Sequence, residues 1–164
     1  MHETKNPLIF LIEDSTVYKD LIVGYLQSKK FSNLKVFKNG EECLKHIDLK
    51  PDIIILDYAS EGTSGLEFML QVVREHSQID FIFLSAQSKV DTAVKIMKLG
   101  AADYIIKNDQ APKKLVESIE RLKDSTKHEK KKYSFKLGVL VFFIVLFLII
   151  MIITFISVFF DVGL

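Results

Sequence analysis

The chain has 164 residues, which is room for one ordinary domain and a short appendage. Its formal net charge is +1, and residues 1–122 hold 16 basic against 18 acidic side chains, so no nucleic-acid surface is indicated and no nucleic-acid partner is expected. Cys43 is the only cysteine, which excludes an intrachain disulfide.

The first third of the chain alternates between short apolar runs and amphipathic helices. Residues 8–12 are too few apolar residues for a signal peptide, and acids follow them at once. A short apolar run of this kind predicts a buried strand of a parallel sheet. Ser15 is placed to cap a first helix, and Asn39 to cap a second one after a strand over 34–37. Pro51 should end the second helix. The residues predicted to face inward are Val17, Leu21, Ile22, Tyr25 and Leu26 in the first helix and Cys43, Leu44 and Ile47 in the second.

The middle of the chain continues this alternation. Strands are predicted over 53–56, 81–84 and 104–106, and helices over about 66–74 and 90–99, with a glycine directly after the latter. Five alternations predict an α/β fold with a doubly wound, five-stranded parallel sheet, because parallel neighbours need helical crossovers. The inward-facing residues are predicted to be Leu66, Met69, Leu70 and Val73 in the third helix and Leu115, Ile119 and Leu122 in a fifth.

Four of the predicted strands end in a side chain that can handle phosphate or a metal. Glu13 and Asp14 follow the first strand, Asp57 the third, Ser85 the fourth and Lys107 the fifth. The carboxyl ends of parallel strands meet at one edge of the sheet, where open α/β folds bind their ligands. We therefore expect these five side chains to converge.

The three carboxylates expected at this edge indicate a cation site. Like charges raise one another's proton affinity unless a cation joins them, and oxygen-only ligands suit Mg²⁺. A carboxylate oxygen of Asp57 can then attack phosphorus, while Lys107 and the Ser85 hydroxyl contact the phosphoryl oxygens. Taken alone, an Asp after an apolar run is more often a turn or cap residue, and a Glu–Asp pair at a strand end is more often a helix start. The prediction therefore depends on the joint placement of all five residues.

With these residues in place, the chain resembles the receiver domain of two-component response regulators over about residues 6–123. The resemblance implies a flavodoxin-like receiver fold in which Asp57 accepts a phosphoryl group, a phosphoacceptor with autocatalytic chemistry at most and not an enzyme. It rests on Glu13 with Asp14, Asp57, Gly65 eight residues later, Ser85 before Ala86, the segment GAADY at 100–104, and Lys107.

The same resemblance assigns a role to each site residue. Asp14 and Asp57 would bind Mg²⁺ together with the backbone carbonyl of Ala59, and Glu13 would help through water. The remaining assignments are Ser85 and Lys107 as contacts to the phosphoryl group and Tyr104 as an aromatic switch.

The chain departs from the family pattern at two places where proline is frequent. Glu61 stands in the loop after the acceptor, and Asn108 directly follows Lys107. A cis peptide after Lys107 is not expected, since cis bonds are essentially a proline feature. Tyr104 is explained equally well as a half-buried strand aromatic.

The resemblance also implies partners: a histidine kinase or histidine phosphotransfer protein as donor, and an unknown downstream protein as output. Self-association through the fourth helix, fifth strand and fifth helix is a further expectation. An alternative is a pseudo-receiver that scaffolds a membrane complex without phosphorylation, although a pure scaffold needs neither the acidic set nor Ser85 and Lys107. A haloacid-dehalogenase-like phosphatase is disfavoured, because it usually has a second Asp where this chain has Ala59.

Residues 137–160 are unlike the rest, with 24 residues and no charge. As a helix they would extend about 36 Å at about 1.5 Å per residue, enough to cross a hydrocarbon core of about 30 Å. We therefore predict a receiver domain over 1–123, a basic linker over 124–136, a transmembrane helix over 137–160 and a short outer tail over 161–164. The positive-inside rule places the receiver on the cytoplasmic side of a bacterial membrane. The lysines before the span contact membrane lipid or form a solvated linker: Lys123, Lys127, Lys130, Lys131, Lys132 and Lys136.

Overall fold

The computed structural model describes residues 6–58, 65–87, 89–125, 142–145, 147–148 and 151. Five parallel strands form one sheet, which confirms the predicted fold class. Their spatial order is β2-β1-β3-β4-β5. The strands are β1 (Ile9–Ile12), β2 (Leu34–Phe37), β3 (Ile53–Asp57), β4 (Asp80–Ser85) and β5 (Asp103–Ile106).

Helices follow the strands in chain order, as crossovers between parallel strands require. A short 3₁₀ turn, Ile47–Leu49, lies between the second helix and β3. By its internal contacts the chain divides into two units, Met1–Lys123 and Asp124–Leu164. The helices are α1 (Thr16–Ser28), α2 (Gly40–Leu44), α3 (Gly65–Glu75), α4 (Val90–Lys98) and α5, described over residues 111–125.

The sheet is covered on both faces, because alternate residues of each strand point to opposite sides. Every residue of β1 and β3 is buried. Phe10, Ile12 and their counterparts on neighbouring strands pack with α2, α3 and Ile96 of α4. Ile9, Leu11 and their counterparts pack with α1 and α5. Burial of both faces explains why the central strands are almost entirely apolar.

The inner face of α1 differs from the prediction. Ile22 and Leu26 are buried as expected, but Val17 is 83% exposed and Leu21 is 51% exposed. The stripe that packs on the sheet includes Tyr18, which precedes Ile22 by one turn. Residues 17 and 21 lie about 100° around the helix from that stripe. The prediction for Val17 and Leu21 was therefore wrong.

The second helix is shorter than predicted. The Asn39 side chain caps it by accepting a hydrogen bond from the backbone N–H of Glu42 at 2.9 Å, as expected. The helix ends at Leu44 rather than running on to Pro51, and Lys50 adopts a left-handed conformation with φ 54° before the proline. Cys43 is a buried core residue, as predicted, and burial raises the pKa of its thiol to about 12.

The third helix is also rotated slightly from the prediction. Met69 is buried, but Leu66, Leu70 and Val73 are only partly buried. The centre of the buried face lies instead on the residues Phe68, Met69 and Val72. Leu115 and Ile119 of α5 are buried and Leu122 is partly buried, which agrees with the prediction. Peptide bonds within the described ranges are all trans.

Apart from Asp124 and Ser125, which belong to α5, the second unit is described only at residues 142–145, 147–148 and 151, which are helical and exposed. Within the described residues no helix combines the length and the apolar character needed to span a membrane. Most of the predicted span over 137–160 lies outside the described residues.

Candidate functional site at the carboxyl edge of the sheet

The topology brings the five predicted site residues to one edge. β1 and β3 are adjacent, so Glu13 and Asp14, just after β1, lie beside Asp57 at the end of β3. β4 pairs with β5, and Ser85 is in register with Ile106, the residue before Lys107. The parallel direction of all these strands places their carboxyl ends together.

The three carboxylates form a compact acidic cluster. One carboxylate oxygen from each of Glu13, Asp14 and Asp57 lies within 4.8 Å of the others. Glu13 is 2% exposed and Asp57 is 4% exposed, whereas Asp14 is exposed. The cluster therefore has a buried floor and one carboxylate open to solvent.

Lys107 joins the two buried carboxylates. Its Nζ donates to Oε2 of Glu13 at 2.7 Å and lies 2.8 Å from Oδ2 of Asp57. Its backbone N–H donates to the carbonyl of Ser85 at 2.8 Å, which fixes the start of the side chain against β4. Such short, shielded ion pairs restrict the ammonium far more than an exposed pair would. Lys107 is thus held directly beside Asp57.

The electrostatics of the cluster are clearest at Glu13. Burial raises the pKa of its carboxyl above the ordinary value of 4.5, and the negative charge of Asp57 raises it further. The hydrogen bond from Lys107 opposes these effects but does not cancel them. The backbone N–H of Ser15 also donates to Oε1 of Glu13, at 3.2 Å. The pKa of Glu13 therefore stays above its ordinary value despite the contact with Lys107.

The donor set fits a divalent cation. Three carboxylates and one ammonium leave two negative charges when all are ionised, and every donor is an oxygen. Mg²⁺ favours one or two carboxylates, retained waters and a substrate phosphate. Asp14 and Asp57 offer the carboxylates, and Glu13 is close enough to act through water. The predicted carbonyl ligand, Ala59, lies outside the described residues.

Ser85 and Tyr104 are connected through Gln87. Ser85 is buried, and its Oγ accepts a hydrogen bond from the backbone N–H of Gln87 at 3.0 Å. The hydroxyl of Tyr104, a partly buried residue, donates to the backbone carbonyl of Gln87 at 2.9 Å. Sequence patterns gave no reason to single out Gln87, since its contacts use only backbone atoms.

Tyr18 is a further residue at the site that the sequence prediction missed. Its ring lies under Lys107, with Nζ 4.4 Å from the ring centroid. The sequence feature that could have indicated Tyr18 was its position four residues after Asp14 and one turn before the buried Ile22. That position reads as ordinary core packing, so the contact became visible only in three dimensions.

The chain is similar to known proteins over the same region. The family model described as the response regulator receiver domain matches residues 9–120. The chemotaxis protein CheY of Listeria monocytogenes is 29% identical over 114 residues, which cover 69% of this chain and 95% of CheY. The phosphate regulon transcriptional regulatory protein PhoB of Pseudomonas aeruginosa is 29% identical over 110 residues, 66% of this chain and 48% of PhoB. The chain thus spans about half the length of PhoB and nearly all of CheY.

A solved receiver-domain structure is also similar to this chain. The signal receiver domain assigned to a LuxO repressor protein from Vibrio parahaemolyticus superposes with a TM-score of 0.69 at 25% identity. The match covers 76% of this chain and 95% of that domain. The family match over most of the globular unit, together with the acidic cluster at the sheet edge, shows that the chain belongs to the receiver domain family of two-component response regulators.

Proposed function

We propose that this protein is a membrane-anchored response regulator whose receiver domain accepts a phosphoryl group on Asp57 within a phosphorelay. The observation that carries the proposal is the contact between the buried Asp57 carboxylate and Lys107 Nζ at 2.8 Å, inside an acidic cluster. A buried carboxylate held by an ammonium is already oriented, and phosphoryl transfer asks the protein mainly for positioning and charge neutralisation.

The proposed donor is a phosphohistidine on a histidine kinase or a histidine phosphotransfer protein. A carboxylate oxygen of Asp57 attacks phosphorus, and an O–P bond forms as the N–P bond breaks. The leaving imidazole nitrogen keeps the electron pair of the broken bond and takes up a proton from solvent. Lys107 Nζ follows the transferred group by exchanging part of its contact with Asp57 for a phosphoryl oxygen. The product is an aspartyl phosphate.

The neighbouring side chains have separate roles in this proposal. Asp14 and Asp57 would hold Mg²⁺, Glu13 would act through water, and the family resemblance implies the backbone carbonyl of Ala59 as a further ligand. When bound, Mg²⁺ neutralises charge on the phosphoryl oxygens. The buried Ser85 hydroxyl leaves Gln87 N–H to donate to the phosphoryl group. Tyr104 then responds through Gln87, whose carbonyl accepts its hydroxyl hydrogen bond.

The output in this proposal is protein–protein interaction near α4 and β5. That face exposes a set of large apolar side chains, and Tyr104 borders the same region. Exposed apolar patches on small domains are frequent interaction sites. A downstream protein, or a second copy of the chain through α4, β5 and α5, would cover the patch. Its exposed members include Val90, Val94, Met97, Leu99 and Ile106.

The proposed membrane placement rests on the sequence alone. Residues 137–160 carry no charge, and six lysines lie within residues 123–136 just before them. Basic residues directly before an apolar segment favour a single span with the receiver domain on the cytoplasmic side of a bacterial membrane. The lysines would then lie at the level of anionic lipid headgroups.

The phosphoacceptor proposal is tested with the full-length chain in detergent, Mg²⁺ and a small phosphodonor such as acetyl phosphate. Intact-protein mass spectrometry measures the phosphorylated fraction of wild type, Asp57→Ala and the matched control Asp20→Ala. Asp20 is an exposed carboxylate on α1 that lies away from the cluster. We expect wild type and Asp20→Ala to be phosphorylated equally and Asp57→Ala to remain unmodified.

Equal phosphorylation of all three proteins would sink the assignment of Asp57. A wild type that is never phosphorylated, either by acetyl phosphate or by histidine kinases from the same bacterium, would instead favour the pseudo-receiver scaffold. Copurification from membranes with and without phosphorylation would then identify the partner in either case.

A further inference from the structure

Tyr18 makes direct contact with the ammonium that serves the phosphoacceptor. It lies in the first turn of α1, where its backbone N–H donates to the Ser15 cap at 3.4 Å. The centroid of its ring is 4.4 Å from Lys107 Nζ. This is the same nitrogen that contacts Glu13 at 2.7 Å and Asp57 at 2.8 Å. Lys107 is therefore enclosed by two carboxylates and one aromatic face.

The hydroxyl of Tyr18 has no role in the described contacts. Its oxygen is buried and has no hydrogen-bond partner among the described residues. Burial raises the pKa of Tyr18 to about 12, and the charges of Glu13 and Asp57 add to the shift. The side chain thus stays a neutral phenol at physiological pH. The group that acts on Lys107 is the ring.

A ring at this distance restricts a flexible side chain. The four-carbon stem of lysine has many rotamers, and a transfer reaction needs Nζ at one place, beside Asp57. A cation over an aromatic face within about 6 Å is attracted to it, most strongly where water is excluded. The Lys107 side chain is only 15% exposed, so the contact is of the shielded kind.

We propose that Tyr18 is a positioning residue for phosphoryl transfer, whose ring holds the Lys107 ammonium in place beside Asp57. The inference rests on the proposed function of Asp57. Tyr18 touches neither the donor nor the transferred group, and it acts only through Lys107.

The kinetic test uses the full-length chain in detergent with acetyl phosphate and Mg²⁺. Tyr18→Leu removes the ring, and Tyr18→Phe keeps the ring but removes the hydroxyl. Tyr25→Leu is the matched control, because Tyr25 also lies on α1 and stacks on a lysine, Lys29 at 5.6 Å, away from the cluster. We expect Tyr18→Leu to lower the phosphorylation rate by about three- to tenfold. Tyr18→Phe and Tyr25→Leu should stay within about twofold of wild type, as their Lys107 contacts are intact.

A spectroscopic measurement tests the contact itself. In protein labelled with ¹³C at lysine Cε, the ring current of Tyr18 should displace the Lys107 ε-methylene proton resonance to low frequency. A Lys107→Arg sample assigns that resonance. The displacement should persist in Tyr18→Phe and disappear in Tyr18→Leu. Tyr18→Met, nearer to tyrosine in length, replaces Tyr18→Leu if the leucine variant fails to fold.

Three results would overturn the proposal. They are a phosphorylation rate of Tyr18→Leu equal to that of Tyr25→Leu, a rate of Tyr18→Phe as low as that of Tyr18→Leu, or a Lys107 resonance that the ring does not displace. The resonance is measured without phosphodonor, so it tests the ring contact even if Asp57 is never phosphorylated. Failure of the proposed function is therefore distinguishable from failure of the inference about Tyr18.

Discussion

Lys107 lies between the acidic and the aromatic side chains at the sheet edge. Its ammonium contacts Glu13 and Asp57 on one side and the ring of Tyr18 on the other. One ammonium cannot neutralise three carboxylates, and two of the three are buried. Clusters of this kind lower stability in order to keep charge where chemistry requires it. Replacing single acids should therefore make the fold more stable.

Glu13 gives the first prediction of that kind. Because burial raises its pKa, the folded chain binds the Glu13 proton more tightly than the unfolded chain does. Stability therefore falls as pH rises from 4.5 through the raised value. Glu13→Gln removes this loss and should increase the free energy of unfolding by about 0.5–2 kcal/mol near neutral pH. Urea unfolding in EDTA, followed by circular dichroism, measures the change.

The pH dependence distinguishes this explanation from a general surface effect. Well below pH 4.5 Glu13 is protonated in both the folded and the unfolded state, so the advantage of Glu13→Gln should shrink there. The exposed Glu41→Gln on α2 provides the control and should change stability little at either pH. A Glu13→Gln protein that is less stable than wild type at neutral pH would mean that the lost contact to Lys107 outweighs burial.

Asp14 gives a second prediction at this scale, since it is the exposed member of the cluster. A cation that binds only the folded state stabilises it, by about 2.7 kcal/mol at a hundredfold excess over its Kd. Mg²⁺ should therefore raise the Tm of wild type, and Asp14→Asn should remove most of that rise. Asp20→Asn, also an exposed acid, should retain it. An equal Mg²⁺ response in both variants would place the cation elsewhere.

At the scale of elements, the helices show that packing against the sheet, and not the apolar sequence pattern alone, decides which helix face is buried. An apolar residue in a helix indicates a buried face only if the rotation of the helix is known. In α1 that rotation is set by Tyr18, Ile22 and Leu26 against the sheet, and Val17 and Leu21 are left in solvent. The strands do not have this ambiguity, because β1 and β3 are buried on both faces. Strand ends could therefore be located from sequence, whereas the buried face was predicted correctly for α5 but only in part for α1 and α3.

Replacing either of two glycines by alanine tests the described backbone of α1 and of the end of α4. Gly24 lies inside α1, and a Cβ there would meet nothing within 4 Å, so Gly24→Ala should stabilise the protein by about 0.5–1 kcal/mol. Gly100 ends α4 with φ +103°, which an L-residue adopts only under strain. Gly100→Ala should therefore destabilise by about 1–2 kcal/mol. Thermal unfolding of both variants measures the opposite signs, and a stabilised Gly100→Ala would contradict the described end of α4.

At the scale of the whole molecule, the sheet topology explains how much of the site could be predicted. The order β2-β1-β3-β4-β5 brings together residues far apart in sequence, and apolar strand ends marked Glu13, Asp57 and Lys107 in advance. The contact between Glu13 and Lys107 was not predicted. The two residues are 94 apart in sequence, and their contact depends on the directions in which both side chains point. The Tyr18 contact was missed for the same reason.

The apolar segment over 137–160 is predicted from sequence to anchor the chain in a membrane, and peripheral binding through the preceding lysines is the alternative. Six lysines within residues 123–136 could bind anionic lipid without any span, each contributing about 1 kcal/mol near the surface. That attraction is screened by salt, whereas burial of some 20 apolar residues in hydrocarbon is not. Salt and chain length therefore separate the two modes of membrane association.

We expect the full-length chain to remain with the membrane pellet after washes with high salt and with alkaline carbonate. A chain truncated after residue 136 keeps all six lysines and should move to the soluble fraction, because the remaining attraction is electrostatic and screened. A second variant, Ile149→Lys, places a charge near the middle of the segment at a cost of about 2.5–3.5 kcal/mol and should reduce insertion, while Ile149→Ala should not. Immunoblots of fractionated cells measure the distribution. Retention of the truncated chain through the salt wash would exclude residues 137–164 as the anchor and would move the membrane contact to the receiver domain or its linker.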